Sequence, residues 1–263
     1  MNYKHILFDH ADGIARITLN RPDRLNSFNI AMHEEVRDAI ERTRGNGTSR
    51  VLVITGAGRA FCAGQDLSDR AVAPGGSGVD LGESIEKRYK PLVLSLRRLS
   101  MPVIAAVNGV AAGAGANIAF ACDLVIAARS ASFIQSFAKL GLIPDSGGTW
   151  SLPRLAGTAR AIGLAFLGEK LSAEQAQMWG LIWRCVEDAE LAPVVEQLAR
   201  QFAEGPTRGF ARTKDAIYTS GERTLEAQLD LERDYQRELG YSADYAEGVS
   251  AFMAKRAPRF TGH

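Results

Sequence analysis

Three stretches of this chain combine glycines, small residues and an acid in ways that chemistry can use. Gly56-Ala57-Gly58-Arg59-Ala60-Phe61-Cys62-Ala63-Gly64-Gln65-Asp66-Leu67 and Asn108-Gly109-Val110-Ala111-Ala112-Gly113-Ala114-Gly115-Ala116-Asn117 each come after an apolar run. In the second, small residues open a helix whose first-turn N–H groups have no internal acceptor, so the two segments can aim backbone amides into one crevice and stabilise an anion. The plainer use of the same glycines is to permit tight turns and close helix packing. The third stretch, Leu140-Gly141-Leu142-Ile143-Pro144-Asp145-Ser146-Gly147-Gly148-Thr149-Trp150, sets Asp145 between a proline and a run that predicts a helix. Read for structure alone, Asp145 is the N-cap of that helix. Read for chemistry, a carboxylate among apolar neighbours is a candidate proton carrier, because desolvation disfavours its charged form. The two roles are compatible.

Other chemistries find little support. Gly113-Ala114-Gly115 has the first two glycines of a dinucleotide fingerprint, but Ile118 stands where the third belongs, and no Walker lysine motif occurs. The four histidines, His5, His10, His33 and His263, are not spaced as metal ligands or as part of a Ser-His-Asp triad. Cys62, Cys122 and Cys185 are too few and too scattered for a disulfide framework or a zinc site, which fits a reducing compartment. With 31 basic and 30 acidic residues the formal charge is +1, and nothing advertises nucleic acid or an anionic membrane as partner. No run reaches the roughly 18–20 apolar residues that span a bilayer, and the N-terminus lacks the apolar core of a signal peptide. The expectation is a soluble cytoplasmic protein without a metal.

The elements that must position these stretches are set by periodicity. In a chain of 263 residues, 46% of them hydrophobic, one large α/β domain with a modest appendage is expected. Ile6 to Phe8 and Ile14 to Leu19 predict a hairpin closed by Asp12-Gly13. Met32, Val36, Ala39 and Ile40 give one buried helical stripe. Val51 to Ile54, Val103 to Val107 and Leu124 to Ala128 are continuous apolar runs, the pattern of parallel strands covered on both faces. Ile85, Leu92, Leu96 and Leu99 predict a helix after a Pro/Gly/Ser-rich loop at 69–80. Beyond about residue 155 the pattern is helical with no strong strand signal. Ser172 to Gln175 reads as a capping box, and helices are expected over 191–202, 206–218, 225–239 and 244–255.

Taken jointly, in order and spacing, these segments resemble the crotonase superfamily, the enoyl-CoA hydratase/isomerase family. The resemblance runs from Leu19-Asn20-Arg21-Pro22 through the three stretches above and Pro102 to Gly109, and on to Gly248 to Arg256. It implies an α/β spiral of ββα turns over residues 1–200, carrying an acyl-CoA site. A C-terminal helical region over 201–263 would serve trimerisation and complete the CoA site, giving a homotrimer or a dimer of trimers. The resemblance implies an acyl-CoA thioester as substrate, with CoA arriving as part of it and no separate cofactor. The thioester oxygen would lie between the amides of Gln65 and Ala114, two fixed dipoles that stabilise an enolate more than the neutral ground state. Arg24, Leu25, Ala63, Gln65, Asp66 and Leu67 would run along the nucleotide and pantetheine arm. Lys255 of a neighbouring subunit is a candidate phosphate contact, against the alternative of a solvated helix face. Phe252 would line the same groove or belong to the core.

Hydratases of this family position water with two glutamates, and those places are taken here by Asn117 and Phe137, neither of which can carry a proton. They would instead shape the acyl pocket, with Tyr89 beside them. Asp145 remains as the acid matched to a catalytic position. In finer detail the resemblance is to isomerases of the family that act in phenylacetate degradation, converting ring-1,2-epoxyphenylacetyl-CoA to its oxepin and also shifting double bonds in unsaturated acyl-CoAs. The alternatives are generic enoyl-CoA isomerisation, residual hydration, attack by Asp145 on an activated aromatic ring, and a non-catalytic acyl-CoA-binding subunit.

Overall fold

The computed structural model describes residues 3–70 and 80–263, so most of the loop expected at 69–80 lies outside the described residues. The chain opens with β1 (Ile6–Ala11) and β2 (Ile14–Leu19), paired antiparallel with Ile6 opposite Leu19. Asp12 and Gly13 both adopt positive φ, which a two-residue turn matched to strand twist requires. Next comes α1 (Ile30–Gly45), capped by the Asn29 side chain, which accepts from the Met32 amide. Its buried stripe is Met32, His33, Val36, Ala39, Ile40 and Thr43.

A corner between two strands then recurs three times. Strand β3 (Val51–Gly56) turns into the short β4 (Ala60–Cys62). The helical segments α2 (Leu81–Ser84) and α3 (Lys90–Arg97), joined by a π-helical turn over Ile85–Tyr89, return the chain. Strand β5 (Val103–Val107) turns into β6 (Val110–Ala112) and leads to α4 (Ala114–Ala121). Strand β7 (Leu124–Ala128) turns into β8 (Ser132–Ile134) and leads to α5 (Gly148–Ala156) and α6 (Thr158–Leu167). Then come β9 (Lys170–Ser172), α7 (Ala173–Met178) and β10 (Arg184–Val186), and finally α8 (Leu191–Ala203), α9 (Thr207–Thr219), α10 (Leu225–Gly240) and α11 (Ala243–Met253).

The strands build two sheets, one of six in the order β1-β2-β3-β5-β7-β10 and one of four in the order β4-β6-β8-β9. From β2 to β10 the large sheet is parallel, and its central strands are buried on both faces, as their continuous apolar runs require. Each corner is stacked on the one before it. The Asn108 side chain accepts from the Gly56 amide at 3.1 Å and donates to the Gly58 carbonyl at 2.9 Å. Asn26, fully buried, donates to the carbonyls of Ala57 and Ala60. Gly109 allows the approach, since a Cβ there would lie 2.2 Å from the Arg59 carbonyl oxygen.

Two sequence expectations need correction here. Strands do occur beyond residue 155: β9 pairs antiparallel with β8, and β10 extends the large sheet parallel to β7. At three residues each they are too short to show a period. Of the capping box, Ser172 Oγ accepts from the Gln175 amide at 3.2 Å, while the return bond from the Gln175 side chain does not form among the described residues. The four C-terminal helices stand where the periodicity places them, within one or two residues at either end.

Candidate active site

The first wall of the site is the segment after β4. Phe28 and Gln65 form an isolated bridge, in which the Phe28 amide donates to the Gly64 carbonyl and the Asp66 amide to the Phe28 carbonyl. Those bonds consume the groups on either side of Gln65. The second wall is the N-terminus of α4, entered through Gly113 at φ 53 and ψ −126, a conformation closed to residues with a Cβ. Among the described residues, neither the Gln65 nor the Ala114 amide has a hydrogen-bond acceptor. Gly64 brings them together: at φ 90, its Cβ position lies 2.9 Å from the Ala112 carbonyl oxygen and 3.3 Å from the Ala114 nitrogen. Two unspent donors on rigid backbone, one at a helix N-terminus, suit an oxygen that gains negative charge.

Asp145 stands in the segment before α5, and here the expectation of a capping role fails. Helix α5 begins at Gly148, its N-cap is Gly147 in the left-handed region, and no side chain caps it. The helix starts three residues after Asp145 because Ser146 and Gly147 both take positive φ, which lifts the aspartate off the helix axis. Its carbonyl accepts from the Gly148 amide, and one carboxylate oxygen accepts from the Ser146 hydroxyl at 2.9 Å.

Asn117 sits one turn along α4 from Ala114 and is buried, at 1% exposure. It donates to the Asp145 carbonyl at 2.8 Å and accepts from Gln135 at 2.9 Å. Phe137 is buried with its ring edge 3.7 Å from the Cβ position of Gly113. Tyr89, fully buried in the π-helical turn, donates from its hydroxyl to Gln65 Oε1 at 3.0 Å, and its ring packs edge-on against His33 at 4.5 Å. A π-helical turn adds one residue to the helix, and that addition is a frequent device at functional sites.

The segments expected along the CoA arm do converge. The Ala63 amide donates to the Leu25 carbonyl, which sets Arg24 and Leu25 beside Ala63 to Leu67. Arg24 and Leu67 are exposed. Asp66, however, spends its charge inside the protein. Its carboxylate pairs with Arg21 at 2.8 Å and accepts from the Ser68 hydroxyl at 2.6 Å and the Ser68 amide at 3.1 Å. The Ser68 hydroxyl above all, and Arg21 with it, hold the Asp66 carboxyl below the usual aspartate range against the opposing effect of burial. Asp66 thus fixes the loop and offers no charge to the ligand.

Lys255 lies past the end of α11, exposed and without an ion pair among the described residues, and nothing in its own chain brings it to this loop. Phe252 is 82% exposed, which excludes a core role within the chain; it lines a groove of about 420 Å³ with Leu239, Tyr245 and Phe260. Sequence reasoning missed Arg21, Gln135 and Ser146. The first stood in the motif Leu19 to Pro22 without an assigned role. The signal for Ser146 was its place between Asp145 and a Gly-Gly pair. Burial lifts the Cys62 thiol to about 12, so this neighbour of the loop stays protonated and is no nucleophile.

The model of the family described as enoyl-CoA hydratase/isomerase matches residues 9–263. The chain is 60% identical over 250 residues to the 1,2-epoxyphenylacetyl-CoA isomerase of Escherichia coli K12, covering 95% of each chain. It is 48% identical over 262 residues, the full length of both, to a probable enoyl-CoA hydratase of Rhodobacter capsulatus. Among solved structures, an enoyl-CoA hydratase from Bacillus anthracis superposes with a TM-score of 0.90 at 33% identity over 99% of this chain and 100% of that one. One from Geobacillus kaustophilus does so at 0.92 and 33% over the whole of both. The turns stacked on Asn26 and Asn108, the paired amides and the matched sequences agree: this chain belongs to the enoyl-CoA hydratase/isomerase family.

Proposed function

We propose that the chain is an acyl-CoA isomerase of phenylacetate degradation. It converts 2-(1,2-epoxy-1,2-dihydrophenyl)acetyl-CoA to oxepin-CoA and also shifts double bonds between the 3- and 2-positions of enoyl-CoAs. The observation that carries the reading is the pair of unspent amides at Gln65 and Ala114, with Asp145 anchored one helical turn away through Asn117. Relatedness to the Escherichia coli isomerase supports the substrate.

In this reading Asp145 takes a proton from the carbon beside the thioester. The electron pair left behind moves onto the thioester oxygen, where the two amides hold the enolate. Return of the proton at another carbon completes a double-bond shift that consumes no water. For the ring-epoxidised substrate, the bond between the two epoxide carbons breaks as the electron pairs of the ring shift, the oxygen keeps its bonds to both carbons and the ring becomes seven-membered. The proton removed beside the thioester is returned, so substrate and product have the same atoms. Each amide donor of this kind contributes roughly 2.7–4 kcal/mol to the barrier reduction. Hydration is disfavoured because the side chains at 117 and 137 are an amide with both ends engaged and an aromatic ring.

The reading assigns no resident cofactor, since CoA enters with the substrate. Arg24, Leu25, Ala63 and Leu67 would run along the CoA arm, with Lys255 of a second copy reaching its phosphates. The exposed apolar residues of α10 and α11 would be covered in a trimer or a dimer of trimers. Three free cysteines suit the cytoplasm, and no helix of the described residues is long and apolar enough to cross a membrane.

The test compares wild type with Asp145→Asn on epoxyphenylacetyl-CoA and on a simple 3-enoyl-CoA, monitoring products by mass spectrometry and ultraviolet absorbance. The expected outcome is loss of the double-bond shift by at least about 100-fold, with affinity for a saturated acyl-CoA unchanged. Full activity in the variant rejects Asp145 as the proton carrier. A wild-type enzyme that ignores the epoxide and turns over only the 3-enoyl-CoA favours a generic isomerase.

A further inference from the structure

Asp145 is held from two sides, and the hold on its backbone comes from a residue that touches no solvent. The Asn117 side chain donates through Nδ2 to the Asp145 carbonyl at 2.8 Å and accepts through Oδ1 from Gln135 Nε2 at 2.9 Å. Both amides are buried, at 1% and 2% exposure. The orientation of the Asn117 amide is forced, because a carbonyl only accepts and the Gln135 nitrogen only donates. The fit is tight as well: a Cβ on Gly148 would fall 2.4 Å from Asn117 Nδ2, so the amide is wedged against the first residue of α5. Ser146, strained at φ 51, completes the hold by donating to the carboxylate itself.

Asparagine suits position 117 because it donates to one buried partner and accepts from another. A carboxylate there could not donate to the Asp145 carbonyl when ionised, and an apolar side chain would strand both that carbonyl and the Gln135 amide in a buried site. Asn117 also lies on α4 three residues after Ala114, about 4.5 Å along the helix axis. One short rigid helix thus carries both an amide donor and the anchor of the acid. The Gln135 nitrogen is engaged by Asn117, so the two buried side chains form one hydrogen-bonded unit with the Asp145 carbonyl.

We propose that Asn117 is a positioning residue for proton transfer: through the Asp145 carbonyl it fixes the distance from the carboxylate to the oxygen held at Ala114, and so sets the rate of the chemical step without contacting substrate. The proposal rests on the reading of Asp145 as proton carrier. It makes this position a determinant of reaction type, because the residue that withholds an acid from the water side also clamps the acid on the isomerase side.

The experiment measures single-turnover and steady-state kinetics on a 3-enoyl-CoA for Asn117→Ala, Asn117→Asp, Asp145→Asn and the double variant Asn117→Ala with Asp145→Asn. Thermal unfolding and calorimetric binding of a saturated acyl-CoA are measured in parallel. Asn117→Asp keeps the side-chain volume, so it serves should the alanine variant fold poorly. Expected are a kcat lowered about 100-fold in each single Asn117 variant, the loss that a displacement near 1 Å produces, with KM and saturated acyl-CoA affinity within threefold of wild type. In the Asp145→Asn background, removing Asn117 should lower the residual rate no further, since a clamp on an absent acid has nothing to act on. A kcat near wild type in both Asn117 variants, or losses that multiply in the double variant, would overturn the proposal while leaving Asp145 in its role. Full activity in Asp145→Asn alone would remove the proton carrier and the clamp with it.

Discussion

In the proposed reading, Gly64 decides whether the two amides can share one oxygen. At φ 90 it sits where a side chain is strained, and its α-carbon faces the backbone that leads into α4. An alanine there would bring its methyl to 2.9 Å from the Ala112 carbonyl oxygen and 3.3 Å from the Ala114 nitrogen, and all the contacted atoms are backbone that cannot swing aside. The loop must therefore move away from the helix, carrying the Gln65 amide out of reach of an oxygen bound at Ala114. Gly64→Ala is expected to cost about 1–2 kcal/mol of folding stability from the left-handed conformation alone. It is also expected to lower kcat by roughly 100-fold through loss of one donor. Chemical denaturation and steady-state kinetics on a 3-enoyl-CoA separate the two effects. A variant that loses stability but keeps kcat would show that Gln65 does not act as a donor.

Within the loop from Gly64 to Ser68, the Asp66 carboxylate joins Arg21 to Ser68, and this gives the element a pH signature. Asp66 is nearly buried, and the Ser68 hydroxyl first, with Arg21 as the charged partner, draws its carboxyl below the usual aspartate range. Because the folded value lies below the unfolded one, the stabilisation is fully present above the unfolded value and is lost as pH falls through the depressed one. The stability gap between wild type and Asp66→Asn should stay constant from pH 7 to about pH 5 and shrink below about pH 4. Urea unfolding at a series of pH values measures it. A gap independent of pH down to the acid limit would mean that the ion pair contributes nothing. How much of this architecture is legible in the sequence depends on the length of each element. The long apolar runs of β3, β5 and β7 announce a parallel sheet because burial on both faces leaves no polar position. Their continuations β4, β6 and β8 are only three residues each, and the resemblance rather than any periodicity implied the turn of the spiral. Asp145 reads as a cap because Asp before a helix usually is one. The left-handed residues Ser146 and Gly147 that displace the helix start are a backbone property with weak sequence signal. The clamp from Asn117 was invisible for a different reason, since it joins residues 28 apart through a carbonyl that every residue type has.

At the scale of the molecule, the C-terminal helices are tied to the sheet at one end and open at the other. Lys214 on α9 reaches back to Asp123 at 2.8 Å and to the carbonyls of Leu96 and Met101, while the Tyr218 hydroxyl donates to the same Asp123 at 2.6 Å. Arg50 gathers Gly205, Thr207 and the Phe260 carbonyl near the C-terminus. Beyond these anchors few side chains are buried, Asp244 and Ala251 of α11 among them. Helix α10 has no buried residue among those described, and it exposes Leu225 and Leu229, while α11 exposes Tyr245, Val249, Phe252 and Met253. Apolar surface of that extent on adjoining helices is costly in water and is expected to meet copies of the same chain. Light scattering on the purified protein should report three or six chains of 28.4 kDa. Leu229→Glu or Phe252→Glu should shift it to the monomer, because a charge buried at the contact has no partner. Lys255, exposed and without an ion pair among the described residues, would give such an assembly a consequence for binding. If it meets CoA phosphate across the interface, Lys255→Ala should raise KM about tenfold, the equivalent of about 1.4 kcal/mol, with kcat intact and the oligomer preserved. The Phe252→Glu monomer should show a comparable loss of acyl-CoA affinity even though it keeps its own Lys255. A monomer that binds acyl-CoA as tightly as wild type would place the phosphate contact within one chain, and a wild-type protein that runs as a single chain would leave these apolar faces to a different partner.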